Sequence, residues 1–107
     1  MLSWLVAVYQ ADEELFAPVR NQFWYLVRRN DRYIGAIYLT ERLAEIGCWL
    51  FKADDNAESR AEAIVELMHM HPRPRYVCNI NPNNTGLIAV FSKLGFKHIQ
   101  NTYEHHP

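Results

Sequence analysis

Histidines are the side chains in this chain with the clearest potential to bind a metal. His69 and His71 are two residues apart, and His105 and His106 are adjacent. Neither spacing places two imidazoles on one face of a helix, as a helical zinc site requires. We therefore predict no metal site, and we expect His69 and His71 to interact favourably with the end of a helix.

Two cysteines, Cys48 and Cys78, are the candidates for a thiol nucleophile. Both lie in apolar, strand-like stretches, which is typical of buried free thiols in a reducing compartment. Residues Met1 to Tyr9 are apolar, but they lack the charged start of a signal peptide and are too short to cross a bilayer. The expectation is a cytoplasmic protein without a catalytic thiol (in the host cytoplasm if the protein is viral).

The charge balance argues against nucleic acid or an anionic membrane as the main partner. The chain has 107 residues with a formal net charge of -1, and its charges are spread along the sequence. Small groups of arginines, Arg28, Arg29 and Arg32 near one turn and Arg73 and Arg75 near another, are typical of solvated turns. A chain of this length forms one domain, residues 1–107.

The first half of the chain reads mainly as strands. Apolar, β-branched and aromatic residues predict strands at Leu2–Tyr9, Phe23–Arg29, Tyr33–Thr40 and Ala44–Phe51, with a short helix at Asp12–Arg20. Between the second and third strands, Asn30, Asp31 and Arg32 suit a turn, so this pair is predicted to form an antiparallel hairpin.

The second half alternates helices with strands. Asp55 and Glu58 have the spacing of a capping box at the start of one helix. Its predicted apolar stripe consists of Ala61, Ile64, Val65 and Met68, and that of a second helix consists of Leu87, Val90, Phe91 and Leu94. Gly95 stands where a left-handed helix cap is expected. Strands are predicted at Arg75–Ile80 and Lys97–Glu104.

This order of elements predicts an α/β fold with a mixed, mostly antiparallel central sheet and flanking helices. The connection from Phe51 to Tyr76 passes through a helix, so it should make the strands on either side of it parallel. The fold class and this parallel pairing are predicted from the order of the elements alone.

One segment resembles the GNAT N-acetyltransferase superfamily. Asn84 opens a helix, Phe91 follows seven residues later, and the segment ends in Lys93-Leu94-Gly95-Phe96. Together with the order of elements, the resemblance covers roughly Phe23 to Tyr103. It implies a GNAT-like (acyl-CoA N-acyltransferase) fold with a shortened N-terminal part, and binding of acetyl-CoA.

The resemblance also implies where acetyl-CoA would bind. A backbone N–H within Cys48, Trp49, Leu50 and Phe51 would polarise the thioester carbonyl. The family's glycine-rich diphosphate turn corresponds to Asn56–Ala61, where Ala57, Ser59 and Ala61 are small and Arg60 is basic, but no glycine is present. Asn84 and Phe91 would complete the site.

The catalytic groups implied by the resemblance are a base and a proton donor. Glu45, near the start of its strand, is the best-placed base, followed by Glu41. The family often has a tyrosine proton donor where this chain has Phe91, and phenylalanine has no proton to donate. Tyr103, Ser92 or water would then take that role.

Two functions follow from the resemblance. The first is an acetyl-CoA-dependent N-acetyltransferase that acts on a primary amine of a protein or small molecule. The alternative is a catalytically inactive GNAT-like protein that binds a protein partner, as a virion component or host-directed phage effector. The sheet edges and three tryptophans could also support a homodimer.

Overall fold

The computed structural model describes residues 4–7 and 22–107, the first of these ranges as backbone only. Four strands form one antiparallel sheet in chain order: β1 (Trp4–Ala7), β2 (Gln22–Arg29), β3 (Arg32–Thr40) and β4 (Ile46–Leu50). A short 3-10 turn (Lys52–Asp54) leads to helix α1 (Ala57–Met70), which is followed by helix α2 (Thr85–Lys93). The helix predicted at Asp12–Arg20 lies outside the described residues.

The hairpin predicted from the sequence is confirmed. Strands β2 and β3 pair in antiparallel fashion from Gln22 opposite Thr40 to Arg29 opposite Arg32. Asn30 adopts a φ of 55°, a left-handed conformation that asparagine tolerates better than most residues. The chain can therefore reverse within two residues.

A bulge in this hairpin turns one more side chain toward the core. Val27 pairs with Gly35 and Arg28 with Tyr33, so Ile34 has no partner across the hairpin. Ile34 is nevertheless completely buried. Gly35 beside it is required by close packing, because a Cβ there would lie 2.0 Å from the Trp49 carbonyl oxygen of β4.

Helix α1 packs against β3 and β4, and α2 packs against α1. The core combines alternating strand residues with one stripe from each helix, in keeping with strand and helix periodicity. Its buried apolar members are Tyr25, Val27, Ile34, Ile37, Leu39, Ala44, Ile46, Leu50, Ala63, Ile64, Leu67, Val90 and Phe91.

Helix α1 begins one residue later than the capping-box prediction placed it. Its N-cap is Asn56, whose side-chain oxygen accepts the Ser59 N–H at 2.9 Å. Asp55 was the wrong cap, because its carboxylate instead binds Arg60. The buried stripe is also rotated from the predicted one: Ile64 is at its centre, but Ser59, Ala63 and Leu67 are buried with it.

Helix α2 agrees with its prediction. Asn84 is the N-cap and accepts the Leu87 N–H at 3.1 Å. Val90 and Phe91 are buried. Gly95 has a φ of 95°, the left-handed conformation that lets the chain leave the helix.

Two predicted strands are wrong. Arg75–Ile80 forms only an isolated parallel bridge, Val77 with Glu45, so the expected mixed sheet reduces to an antiparallel sheet with one parallel bridge at its edge. Lys97–Glu104 has no strand structure and is exposed throughout. A strand needs a hydrogen-bonded neighbour. The neighbour expected for 97–104 was segment 78–80, which is not itself part of the sheet. Within the described residues, no helix is long and apolar enough to cross a membrane.

Candidate functional site

A cleft of about 250 Å³ opens where the segment that follows Val77, residues 78–80, separates from the outer edge of β4. The two are joined at the bridge, where the Ile46 N–H donates to the Val77 carbonyl at 2.8 Å and the Val77 N–H donates to the Ala44 carbonyl at 3.0 Å. Beyond the bridge they separate. The walls are Trp24, Ala36, Tyr38, Ile46, Gly47, Cys48, Trp49, Cys78, Asn79, Ile80, Leu87 and Phe91.

The backbone of Cys48 faces this open edge. In an antiparallel pair, successive residues direct their N–H and C=O groups alternately to the two sides of a strand. The Ile46 N–H points to the edge, and so does the Cys48 carbonyl, which accepts a hydrogen bond from Arg60 at 3.0 Å. The Cys48 N–H therefore also points into the gap between β4 and segment 78–80. A backbone donor of this kind leaves no signal in the sequence.

Glu45 lies beside the cleft, at the bridge where the parting begins. Its backbone N–H donates to Thr40 Oγ1 at 2.8 Å, and its carboxylate accepts the Asn79 Nδ2–H at 2.5 Å. Asn79 itself lines the cleft. The side chains of Thr40 and Asn79 thus hold Glu45, the predicted base, in place, and Asn79 belongs to the cleft wall. The runner-up, Glu41, is exposed in the turn before β4.

Tyr38 is a functional candidate that the sequence reasoning missed. Its ring stacks on Trp24, with centroids 4.8 Å apart, and lines the cleft. Burial raises the pKa of the Tyr38 phenol, and the charge of Glu45 raises it further, so the hydroxyl keeps its proton at neutral pH. In the structure Tyr38 falls opposite Gly47, a pairing that leaves space over the glycine, and the predicted strand bounds did not fix this register.

The residues predicted to form the cofactor strand divide into two groups. Cys48 and Trp49 line the cleft, whereas Leu50 is buried in the core. Phe51 is exposed and meets Trp49 edge to face at 4.8 Å. Burial raises the pKa of the Cys48 thiol to about 11.

The second thiol behaves similarly. Burial and then the charge of Glu45 raise the pKa of Cys78. The nucleophile of thiol chemistry is the thiolate, and both cysteines remain protonated at neutral pH.

Arg60 joins the start of α1 to β4. Its guanidinium donates to the Cys48 carbonyl and, at 2.5 and 2.8 Å, to the two carboxylate oxygens of Asp55. These hydrogen bonds hold the pKa of Asp55 below its usual value. The neighbouring Asp54 is paired with Arg32 in the same way. The acidic start of α1 is therefore balanced by two arginines, and both are already engaged.

The small residues of α1 occupy two different environments. Ala57 and Ala61 line a second cavity of about 90 Å³, which faces Gly86, Ala89, Val90, Lys93 and Leu94 of α2 and its cap. Ser59 lines neither cavity. It is completely buried, and its hydroxyl has no hydrogen-bond partner among the described residues.

The remaining predicted residues follow α2. Asn84 serves as the helix cap, and Phe91 reaches the cleft from the core, where it meets Phe96 edge to face at 4.9 Å. Ser92 is exposed. Tyr103 is 90% exposed in the C-terminal segment and does not line the cleft.

Comparison with protein-family models, curated proteins and solved structures found no match for this chain. Within the part of the chain that the structure describes, no three His, Cys, Asp or Glu side chains are grouped to hold a metal ion.

Proposed function

We propose that this chain is an acetyl-CoA-dependent N-acetyltransferase with a GNAT-like fold, which transfers acetyl to a primary amine. The observation that carries the proposal is the parting of β4 from segment 78–80. It leaves a narrow, mainly apolar cleft beside an open strand edge. A pantetheine arm is a long, thin chain with amide groups, and such an edge offers it both apolar contact and backbone hydrogen bonds.

The residues of the cleft suit the thioester end of acetyl-CoA. The Cys48 N–H supplies a donor of the kind that stabilises negative charge developing on a carbonyl oxygen. Glu45 lies close enough to the cleft to accept a proton from the amine, directly or through a water. When bound, acetyl-CoA supplies the activated acyl group. The protein then has to orient it and manage the protons.

Fewer side chains are available to bind the diphosphate of acetyl-CoA. Arg60 and Arg32, the two arginines beside the start of α1, are both engaged by aspartates. Ala57 and Ala61 leave room between α1 and α2, with Lys93 on the far wall of that cavity. We therefore expect most of the affinity to come from the arm, and we expect binding to be weaker than in proteins that clamp the phosphates with free cations.

The second candidate is a catalytically inactive GNAT-like binding protein, a virion component or host-directed effector. The observation that favours it is at Phe91. This side chain lies at the cleft and is 3% exposed, but it has no hydroxyl. Tyr103, the alternative proton donor, does not reach the cleft. A protein of this kind would bind acetyl-CoA weakly or not at all, and would release no thiol.

The test is calorimetric titration of the protein with acetyl-CoA, repeated on two matched variants. Ile80→Trp fills the cleft, while Ile88→Trp adds the same ring at an exposed position of α2 outside it. We expect Ile80→Trp to weaken binding at least about tenfold, a loss of roughly 1.4 kcal/mol, and Ile88→Trp to bind like the parent. Absence of binding at millimolar acetyl-CoA would refute the proposal.

Catalysis is tested separately, by measuring thiol release from acetyl-CoA in the presence of a panel of primary amines. Amine-dependent release that Glu45→Gln reduces would support the enzyme. Binding without release for any amine would favour the inactive protein.

A further inference from the structure

Tyr38 is held over β4, next to the strand position that would meet the thioester. Tyr38 is paired with Gly47, and a Cβ on that glycine would lie 2.0 Å from the tyrosine ring and 2.6 Å from its hydroxyl. The ring therefore occupies the space that the glycine leaves, directly beside Cys48. Stacking on Trp24 from the other side limits its movement.

The cleft needs a proton donor, and few of its side chains can serve. Breaking a thioester leaves negative charge on sulfur, and protonating that atom speeds the step. Phe91 has no acidic proton. The thiols of Cys48 and Cys78 pack against the hydrophobic core, and burial raises the pKa of each. The charged groups that act on Cys48 are Arg60 and Asp55, whereas the Glu45 carboxylate acts on Cys78 and on Tyr38. Among the cleft side chains that carry such a proton, the Tyr38 hydroxyl is the one placed over Gly47, next to the strand position of Cys48.

We propose that Tyr38 is the catalytic acid of the acetyl transfer, an inference that rests on the function proposed above. As the carbon–nitrogen bond forms, Glu45 accepts the proton that the amine nitrogen loses. As the carbon–sulfur bond breaks, its electron pair moves to sulfur, and Tyr38 donates its phenolic proton there. The products are the amide and the free thiol. Glu45 then returns its proton to solvent and Tyr38 regains one.

The pairing explains how the chain manages without a tyrosine on α2. The donor comes from the middle of β3, which pairs with β4. Burial raises the pKa of this phenol, and the Glu45 carboxylate, the base of the same reaction, raises it further. One residue change, at Gly47, would remove the space that the donor needs.

The test is Tyr38→Phe, which keeps the ring stacked on Trp24 and removes only the hydroxyl. Its matched control is Tyr33→Phe, at an exposed position of the same strand. We expect Tyr38→Phe to bind acetyl-CoA within about twofold of the parent but to lose about 100-fold in kcat. The rate of the parent should fall at high pH as Tyr38 ionises, and this fall should be absent in Tyr38→Phe, whose cleft is no longer lined by a phenol. Tyr33→Phe should retain the parent rate.

A second substrate, an acetyl thioester of an aromatic thiol, distinguishes a Tyr38 that donates a proton from a Tyr38 that is only structural. Its thiolate is stable enough to leave without a proton, so Tyr38→Phe should recover most of the parent rate with this substrate. A parent-like rate of Tyr38→Phe with acetyl-CoA, or a loss that the aromatic thioester does not rescue, would overturn the inference and leave the proposed function standing. If the parent protein does not bind acetyl-CoA, both fail together.

Discussion

At the scale of single residues, His71 shows how a neighbour can reverse an expectation from sequence. A histidine near a helix C-terminus is favoured when charged, which was the prediction here. In the structure, His71 Nε2 is 2.6 Å from the Tyr25 hydroxyl of β2, and its ring stacks on Phe23 with centroids 4.5 Å apart. The His71 carbonyl accepts the Tyr76 hydroxyl at 2.6 Å. The imidazole thus ties the end of α1 to the sheet.

This arrangement favours the neutral imidazole and predicts a pH effect on stability. Burial, followed by the charge of Arg73, lowers the pKa of His71 below its ordinary 6.5. The unfolded chain therefore binds more protons than the folded one between the lowered pKa and 6.5, and stability rises with pH in that window. The contribution of His71 is complete above 6.5 and is lost as the pH falls below it.

Thermal unfolding of His71→Gln between about pH 5 and pH 8 checks this. The variant should be less stable than the parent at the upper end but should lose less of its Tm on acidification. His69→Gln, at an exposed position of the same helix, should keep the pH dependence of the parent. Identical pH dependence of the parent and His71→Gln would contradict the assignment.

At the scale of elements, the pairing of β3 with β4 depends on small residues. A Cβ at Gly35 would lie 2.0 Å from the Trp49 carbonyl oxygen, and a Cβ at Gly47 would lie 2.0 Å from the Tyr38 ring. Such close approach is available only without a Cβ.

Alanine at two glycines should therefore have opposite effects on stability. A Cβ at Gly35 would lie 2.0 Å from the Trp49 backbone oxygen, so Gly35→Ala must displace β4 and should cost at least about 3 kcal/mol. A Cβ at Gly86, in the first turn of α2, meets nothing closer than 4.0 Å, and Gly86→Ala should gain up to about 1 kcal/mol from helix propensity.

Urea unfolding of both variants at neutral pH measures the difference. Gly86→Ala serves as the control for the chemical change itself, since each variant adds one methyl group. A loss below about 1 kcal/mol for Gly35→Ala would mean that the two strands can separate more easily than their packing indicates.

At the scale of the whole molecule, the C-terminal segment 97–107 stands apart from the core. All of its residues are exposed, Tyr103 at 90%. Its described polar contacts are internal: His98 with the Gln100 carbonyl, Gln100 with Thr102, and His106 with Glu104. It therefore contributes little to the burial that stabilises the fold.

Removal of residues 97–107 should leave the Tm within about 2 °C of the full chain, because 1 kcal/mol corresponds to roughly 4–8 °C in a domain of this size. Differential scanning calorimetry of the two chains makes the comparison. A larger drop would indicate that this segment does pair with the sheet, as its sequence pattern predicted.

Local pattern was sufficient for most of the fold. Alternation and turn residues predicted the β2–β3 hairpin and the strand that follows it, because those contacts are close in sequence. The 3.6-residue period predicted α1 and α2, and Asn84 and Gly95 marked the ends of α2. The class, an antiparallel sheet followed by two helices, depends on these local signals alone.

The candidate site was predictable only in part. Cys48, Trp49, Glu45 and Phe91 were named from the resemblance, and the structure brings them to or beside one cleft. Tyr103 was named as well but lies elsewhere, because its place depended on a final strand that did not form. Tyr38 was missed, since its role depends on lying opposite Gly47 and beside Trp24, on two other strands.

The sequence by itself therefore determined the β2–β3 hairpin, strand β4, helices α1 and α2, and the apolar stripe and N-cap of α2, since these depend on periodicity and on residues a few positions apart. The tertiary structure alone decided that Val77 and Glu45 form a single bridge, beyond which segment 78–80 separates from β4. It also decided that Tyr38 and Asn79 line the resulting cleft, with Glu45 hydrogen-bonded to Asn79. Contacts between residues far apart in the chain depend on how whole elements pack, and no local pattern encodes that geometry.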